Sequence, residues 1–248
     1  MHIIPLSEGK FTVDKTRQFV PFDDKEDKLE DLPSGSLLVE VQPFVVITPN
    51  DVLLLDTGLG FSDEKGILQL HQNLQKEGIA PSSITKVLLT HLHKDHAGGI
   101  SMNSRSVREK HPAFPSATYY VQEKELELAI EKGAASFIPE VLEVLKNSAR
   151  VELLRDDKGT IDDYIDYEVT AAHSPRHQVF WIKNGGEIIF YGGDDAPQLR
   201  QMKHRFVAKY DYNGKKASQL REQWWQQGEK EKWTFLFFHD VINPVWKF

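Results

Sequence analysis

The densest chemistry in the chain is the run Thr90-His91-Leu92-His93-Lys94-Asp95-His96-Ala97-Gly98-Gly99, which places three histidines and one aspartate within six residues. Imidazole nitrogen and carboxylate oxygen are the donors that suit zinc and similar divalent metals. In a turn leaving a strand, His91 and His93 can point one way while Asp95 and His96 point another. One short segment can then serve two neighbouring metals. A lone histidine more often packs or sits at the surface, but four donors behind one apolar run form a cluster. Gly98 and Gly99 let the backbone pass close beside it.

Donors of the same kind recur after other apolar runs. Asp56 follows VLLL, His173 follows YEVTAA, Asp194 and Asp195 follow EIIFY through Gly192-Gly193, and His239 follows WTFLFF. Open sheets collect binding groups in loops beyond strand ends, so segments far apart in sequence can meet at one edge.

The elements that must position these donors alternate along the chain. Ser36 to Thr48 and Val52 to Leu55 read as strands joined by a turn at Pro49, Asn50 and Asp51. Ile67 to Glu77 carries Ile67, Leu70 and Leu74 on one helical face, and Gly78 supplies the stop. Lys86 to Thr90 is a short buried strand that feeds the histidine cluster. Glu123 to Glu131, Pro139 to Lys146 and Lys215 to Gln227 have helical spacing. Val151 to Ala172 holds several short strands, residues 178–191 a hairpin turning at Gly185-Gly186, and Trp233 to Phe238 a last apolar strand. The mixture predicts an α/β sandwich whose sheets are covered by helices. No linker divides it, so residues 1–248 are expected to form one domain.

Bulk properties exclude several functions. With 40% hydrophobic residues in 248, the chain can bury a large core. A net charge of -7 opposes phosphate backbones, so nucleic acid is not the expected partner; a small-molecule substrate is. Cysteine is absent, which removes disulfides, thiolate ligands and cysteine nucleophiles. Neither a continuous apolar leader in Met1 to Asp14 nor a run near the roughly 18 residues of a membrane span is present, so no membrane partner and a cytoplasmic location are expected. The sequence leaves the oligomeric state open.

The segment THLHKDHAGG matches the HxHxDH signature of the metallo-β-lactamase superfamily, and the later segments follow in that family's order. This resemblance, spanning about Ser36 to Asp240, implies a four-layer αββα sandwich with two metals at the edge of its paired sheets. Matched by motif, His91, His93 and His173 would hold the first metal and Asp95, His96 and His239 the second. Asp194 would bridge them, and Asp56 in DTG would support ligand orientation. The family's third block, close to GHTxGH, here reads Ala172-His173-Ser174-Pro175-Arg176-His177. The glycine before Asp194 favours it over Asp195 as the bridge. His177 reads as an outer histidine, and His2, His71, His111 and His204 lack companion donors. Two divalent cations, zinc foremost with manganese and iron using the same donors, lower the pKa of a shared water from about 15.7 toward neutrality. The expected reaction is attack by a hydroxide bridging the metals on an ester-like centre, with Asp95 steering a proton and returning it to the leaving group.

Within the family, Phe114-Pro115-Ser116-Ala117 and the following Tyr119 to Glu123 resemble the compact lactonase and organophosphate hydrolase branch. An N-acyl homoserine lactone is therefore the leading substrate class, ahead of a glyoxalase II-like thioester or a phosphotriester. Many of those lactonases carry a tyrosine where this chain has Pro197; Tyr210 or Tyr212 either substitutes for it from the following segment or serves only packing or the surface. Phe61, Phe206, Trp224 and Trp225 either line an acyl pocket or only pack, and for the adjacent Trp224 and Trp225 on a helix one ring is more often core and the other partly exposed. The opposing reading is a binding or sensor protein that keeps its metals for stability. A seven-ligand set with a bridge argues against it, because structural sites close with four ligands.

Overall fold

The computed structural model describes residues 1–14, 16–103, 110–133 and 136–248. Strand β1 (His2–Pro5) runs beside β5, while β2 (Gly9–Val13) pairs with the short β3 (Val20–Pro21) and with β4 (Leu37–Val41) in a small three-stranded sheet. Strands β5 (Phe44–Ile47) and β6 (Val52–Leu55) form a hairpin, followed by helix α1 (Gln69–Lys76) and strand β7 (Lys86–Leu88). A one-turn helix α2 (Lys94–Ala97) carries part of the histidine cluster. Beyond it lie β8 (Ser101–Asn103), β9 (Lys110–Pro112) and β10 (Thr118–Gln122), then α3 (Glu123–Lys132), α4 (Pro139–Asn147) and β11 (Val151–Leu154).

The second half is built from β12 (Lys158–Ile161), β13 (Ile165–Val169), β14 (Gln178–Asn184) and β15 (Glu187–Tyr191). Helices α5 (Leu199–Lys203) and α6 (Gly214–Glu231) precede β16 (Thr234–Leu236) and β17 (Val245–Lys247). One six-stranded sheet has the order β1-β5-β6-β7-β10-β11, the other β12-β13-β14-β15-β16-β17.

Strand alternation explains why these sheets stack. Along β5 to β7, Phe44, Val46, Leu53, Leu55 and Leu88 face one way, into a core shared with Ile165, Phe180, Ile182, Tyr191 and Leu236 of the other sheet. The intervening Val45, Leu54 and Val87 face the other way and pack under Leu70 and Leu74 of α1 and Leu142 and Leu145 of α4. On the far side Val179, Phe190 and Phe235 meet Leu199, Met202 and Trp224 from α5 and α6. Three apolar layers between four structural layers give the αββα sandwich. No helix among the described residues is long and apolar enough to cross a membrane.

The sequence reading and the structure differ in places with clear causes. Ser36 to Thr48 is not one strand: it breaks at Gln42-Pro43, and β4 and β5 join different sheets. Proline lacks the N–H that a ladder needs, so the break falls there. The last long helix extends to Glu231, four residues past its expected end. Strand β1 is short and edge-bound, and only its pairing with β5 defines it. The expected hairpin does turn at Gly185-Gly186, both with positive φ (56° and 85°).

Candidate metal centre

Five loops meet where strands of the two sheets end. β6 delivers Asp56, β7 delivers His91 to His96, β13 delivers His173, β15 delivers Asp194 and β16 delivers His239. Glycines permit this convergence. A Cβ on Gly98 would lie 2.2 Å from Leu59 O, and one on Gly99 2.2 Å from Thr57 O, so the cluster's loop rests directly on the DTG loop. Gly193 has φ 48°, and its Cβ would meet Thr90 Oγ1 at 2.8 Å. The two positions where the family's glycines are replaced, Ala172 and Arg176, do not take positive φ; the left-handed residue is Ala171 (φ 50°).

Two groups of donors result: His91, His93, His173 and Asp194 in the first, and Asp95, His96, Asp194 and His239 in the second. In the first, His91 Nε2 and His93 Nδ1 stand 2.9 Å apart, and His173 Nε2 lies 3.2 Å from His93 Nδ1. Asp194 Oδ2 is 3.1 Å from His173 Nε2 and 3.8 Å from His91 Nε2. In the second, Asp194 Oδ1 is 3.0 Å from both His96 Nε2 and His239 Nε2. Asp95 Oδ2 lies 3.4 Å from His239 Nε2 and 3.6 Å from His96 Nε2. The carboxylate of Asp194 is thus divided, one oxygen to each group.

This donor set fits a pair of divalent ions. Donors about 2.0–2.1 Å from a tetrahedral ion stand about 3.4 Å apart, within the observed spread. Among the described residues, His96 Nε2 and Asp194 Oδ1 are buried in charge contact at 3.0 Å but make no hydrogen bond, a costly arrangement that a cation between them would relieve. The opposite ring nitrogens are held. Asp56 accepts from His96 Nδ1 (2.8 Å), Thr90 N (2.8 Å), Thr90 Oγ1 (2.8 Å) and the Tyr191 hydroxyl (2.6 Å). His239 Nδ1 donates to Glu40 O (2.7 Å), and His173 Nδ1 lies 2.9 Å from Asp211 Oδ1. Such contacts fix the tautomer and aim the free nitrogen.

Electrostatics follow from burial and mutual charge. Burial pushes His93 down to about 3, aided by neighbouring His173. Burial also disfavours charge on His96 and His239, but Asp194 and the other carboxylates outweigh it, raising His96 well above its ordinary value and His239 to about 9. Asp194 is held well below the usual carboxylate range despite burial, because His96, His239 and His173 surround it. Protons on histidine play the counter-charge role that cations take over on binding.

Asp195 lies outside both groups: its Oδ1 accepts from His173 N (2.7 Å) and its Oδ2 sits 3.1 Å from His177 Nδ1. His177 stays behind the ligands, accepting from Asp194 N through Nε2 (3.2 Å). His71 packs edge-on to Phe114, whereas His2, His111 and His204 are exposed. Trp224 belongs to the outer core, while Phe61 and Phe206 remain exposed. Sequence reasoning gave no role to Glu125, which is buried on α3. It accepts from Leu92 N (3.1 Å), between two of the donor histidines, and approaches Ser174 Oγ (3.5 Å).

The profile of the metallo-beta-lactamase superfamily matches residues 38–221. The chain belongs to the metallo-β-lactamase superfamily. His239 falls beyond the matched span, and it is folding that brings it to the superfamily motif. No curated protein matches the chain by sequence. Among solved structures, a probable metal-dependent hydrolase from Staphylococcus aureus superposes with TM-score 0.79 at 20% identity, covering 99% of this chain and 91% of that one. The dizinc quorum-quenching lactonase AidC, in complex with a product, gives TM-score 0.71 at 19% identity over 98% and 88%. An N-acyl homoserine lactone hydrolase with N-hexanoyl-L-homoserine at its catalytic metal centre gives 0.68 at 18% over 96% and 93%. At these identities the likeness is one of fold.

Proposed function

We propose that this metallo-β-lactamase-fold protein is a dinuclear, zinc-dependent hydrolase of ester-like bonds, with an N-acyl homoserine lactone as its leading substrate class. The observation that carries the reading is the division of Asp194 between the two donor groups. A stabilising metal needs no shared carboxylate. Donors spread from His91 to His239 further support residues 1–248 acting as one catalytic unit.

His91, His93 and His173 would hold one ion, Asp95, His96 and His239 the other, and Asp194 both. Bound there, divalent ions supply Lewis-acid polarisation and a hydroxide nucleophile near neutral pH. The chain does the rest. Asp95, anionic and beside His239, can take a proton and return it to the leaving oxygen. Phe238 stacks on His96 at 3.9 Å and Phe137 packs on His93 at 5.3 Å, keeping water from the outer sides of these rings. Tyr210, about half exposed, lies edge-on to His173 with ring centroids 6.2 Å apart, whereas Tyr212 is two-thirds exposed and makes no such ring contact among the described residues. Tyr210 therefore takes the substrate-carbonyl role for which Pro197 has no hydroxyl.

The test is ring opening of a medium-chain acyl homoserine lactone, followed by proton release, using protein loaded with two equivalents of zinc and a chelated control. Chelator-sensitive turnover is expected. A metal-replete sample inactive on the lactone overturns that substrate class, and phosphotriesters and thioesters come next. Inactivity on all three, with chelation lowering only the melting temperature, would replace the hydrolase by a metal-stabilised binding protein.

A further inference from the structure

Each donor group contains one histidine backed by a carboxylate. In the second group His96 leans on Asp56, which belongs to the DTG motif and has both oxygens occupied. In the first group His173 leans on Asp211, which belongs to no motif. The Asp211 side chain is 1% exposed, and its Oδ2 is buried without a hydrogen-bond partner among the described residues.

The segment carrying Asp211 connects α5 to α6 and is tied down along its length. Tyr212 N donates to His173 O (2.9 Å) and Asn213 N to Ala172 O (2.7 Å), so its end follows the His173 loop. Its start is gripped by Arg221 of α6, one of the largest fully buried side chains in the molecule. Arg221 Nη2 donates to Phe206 O (2.7 Å) and Nη1 to Asp195 O (3.0 Å). One guanidinium thereby joins the Asp211 segment to the loop that bears Asp194. Burying an arginine is expensive unless its charge is balanced. Asp211 and Asp195 are the acidic groups that favour its charge, against the cost of burial. A surface role explains none of this, because both charges are removed from water beside a single histidine.

We propose that Asp211 is the positioning residue of the first metal position, fixing the Nδ1–H form of His173 so that Nε2 faces the ion, and that Arg221 holds Asp211 in place. The inference rests on the two-metal reading of the centre. An anionic partner on the far nitrogen orients the ring and makes the ligating nitrogen more basic. Asp56 does this from within a motif, through a strand-end loop. Asp211 does it from a connection that only α6 secures.

The experiment measures the affinity of each of two zinc equivalents by competition with a chromophoric chelator, alongside Co(II) absorption spectra. Wild type, Asp211→Ala, Asp211→Asn and Arg221→Lys are compared, and the thermal midpoint of each chelated protein is recorded. Asp211→Ala should weaken one equivalent by about 10–100-fold, the usual effect of removing such a support, and alter the Co(II) spectrum, with the other equivalent left within about threefold. Asp211→Asn keeps an acceptor without the charge and should fall between Ala and wild type. Arg221→Lys should weaken the same equivalent in the same direction. Unchanged affinity in Asp211→Ala overturns the inference. So does equal loss of both equivalents with a lowered midpoint of the chelated protein, which would mark a merely structural residue. Wild type binding fewer than two equivalents would instead fail the metal-centre reading itself.

Discussion

Strand β7 connects two polar clusters of opposite character. At its start, Lys86 lies 2.5 Å from Asp51 and 2.9 Å from Asp162, while Thr85 Oγ1 (2.7 Å) and the Tyr164 hydroxyl (2.5 Å) donate to the Asp51 carboxylate. Just past its end begins the histidine cluster. The first cluster is complete, with one cation between two carboxylates and donors on the oxygens of Asp51. It joins the β7 sheet to the β12–β13 turn and needs nothing from solution. The second brings five imidazoles and two carboxylates together and, among the described residues, leaves His96 Nε2 and Asp194 Oδ1 in charge contact but without a hydrogen bond. A buried polar cluster that closes on itself is a fastener. One that does not is a site for something else.

The contrast breaks most visibly at Asp194. Asp194→Asn removes the shared anion and should lower turnover by more than about 100-fold, at least the effect expected for a supporting residue, and should weaken retention of the second metal. Activity assays and metal analysis check both, and a near-wild-type rate contradicts the bridging role. Next comes Asp56→Asn, which leaves His96 without its anionic partner. Affinity for one metal should drop by about 10–100-fold, read by chelator competition.

The fastener should respond in stability alone. Asp51→Ala leaves Lys86 half-paired and should cost roughly 1–3 kcal/mol, between the values for exposed and fully buried pairs. Denaturant unfolding measures this, and metal content should not change. Its pH dependence has a definite sign. Burial opposes the Asp51 charge, but Lys86, Tyr164 and Thr85 outweigh it and hold the carboxyl below its ordinary 3.8. The unfolded chain therefore takes up the proton first as pH falls. The stability due to Asp51 is full above 3.8 and disappears as pH drops through the lower folded value, so the gap between wild type and Asp51→Ala should close in acid. A gap unchanged below pH 3.8 would remove Asp51 from the clamp. The smallest effect expected is that of Tyr210→Phe, which deletes one hydroxyl. It should change KM or kcat by about tenfold or less, the scale of one neutral hydrogen bond, without altering metal affinity.

Much of the site was legible because its donors are clustered in sequence. His91 to His96 announce themselves by type and spacing, and Asp56, His173, Asp194 and His239 by standing at the ends of apolar runs. The layers were legible as well, since the alternating residues of β5 to β7 must face two different cores. The break at Pro43 was written in the sequence but obscured by the apolar residues on both sides.

The sequence by itself determined which atoms are available as donors, in what order, and which strands present them. Tertiary structure supplied the reason that Asp194, already favoured by the glycine before it, belongs to both groups and Asp195 to neither: Gly193 turns the one inward while His177 and His173 N hold the other. It also decided the partners behind the ligands: Glu40 O for His239, Tyr191 for Asp56, Asp211 and Arg221 for His173. The physical reason is range. Donor type and strand periodicity are local properties that a short window carries. The partner of a buried charge is whatever the fold places opposite it, often far away in the chain, as with His239 and Glu40, which are 199 residues apart.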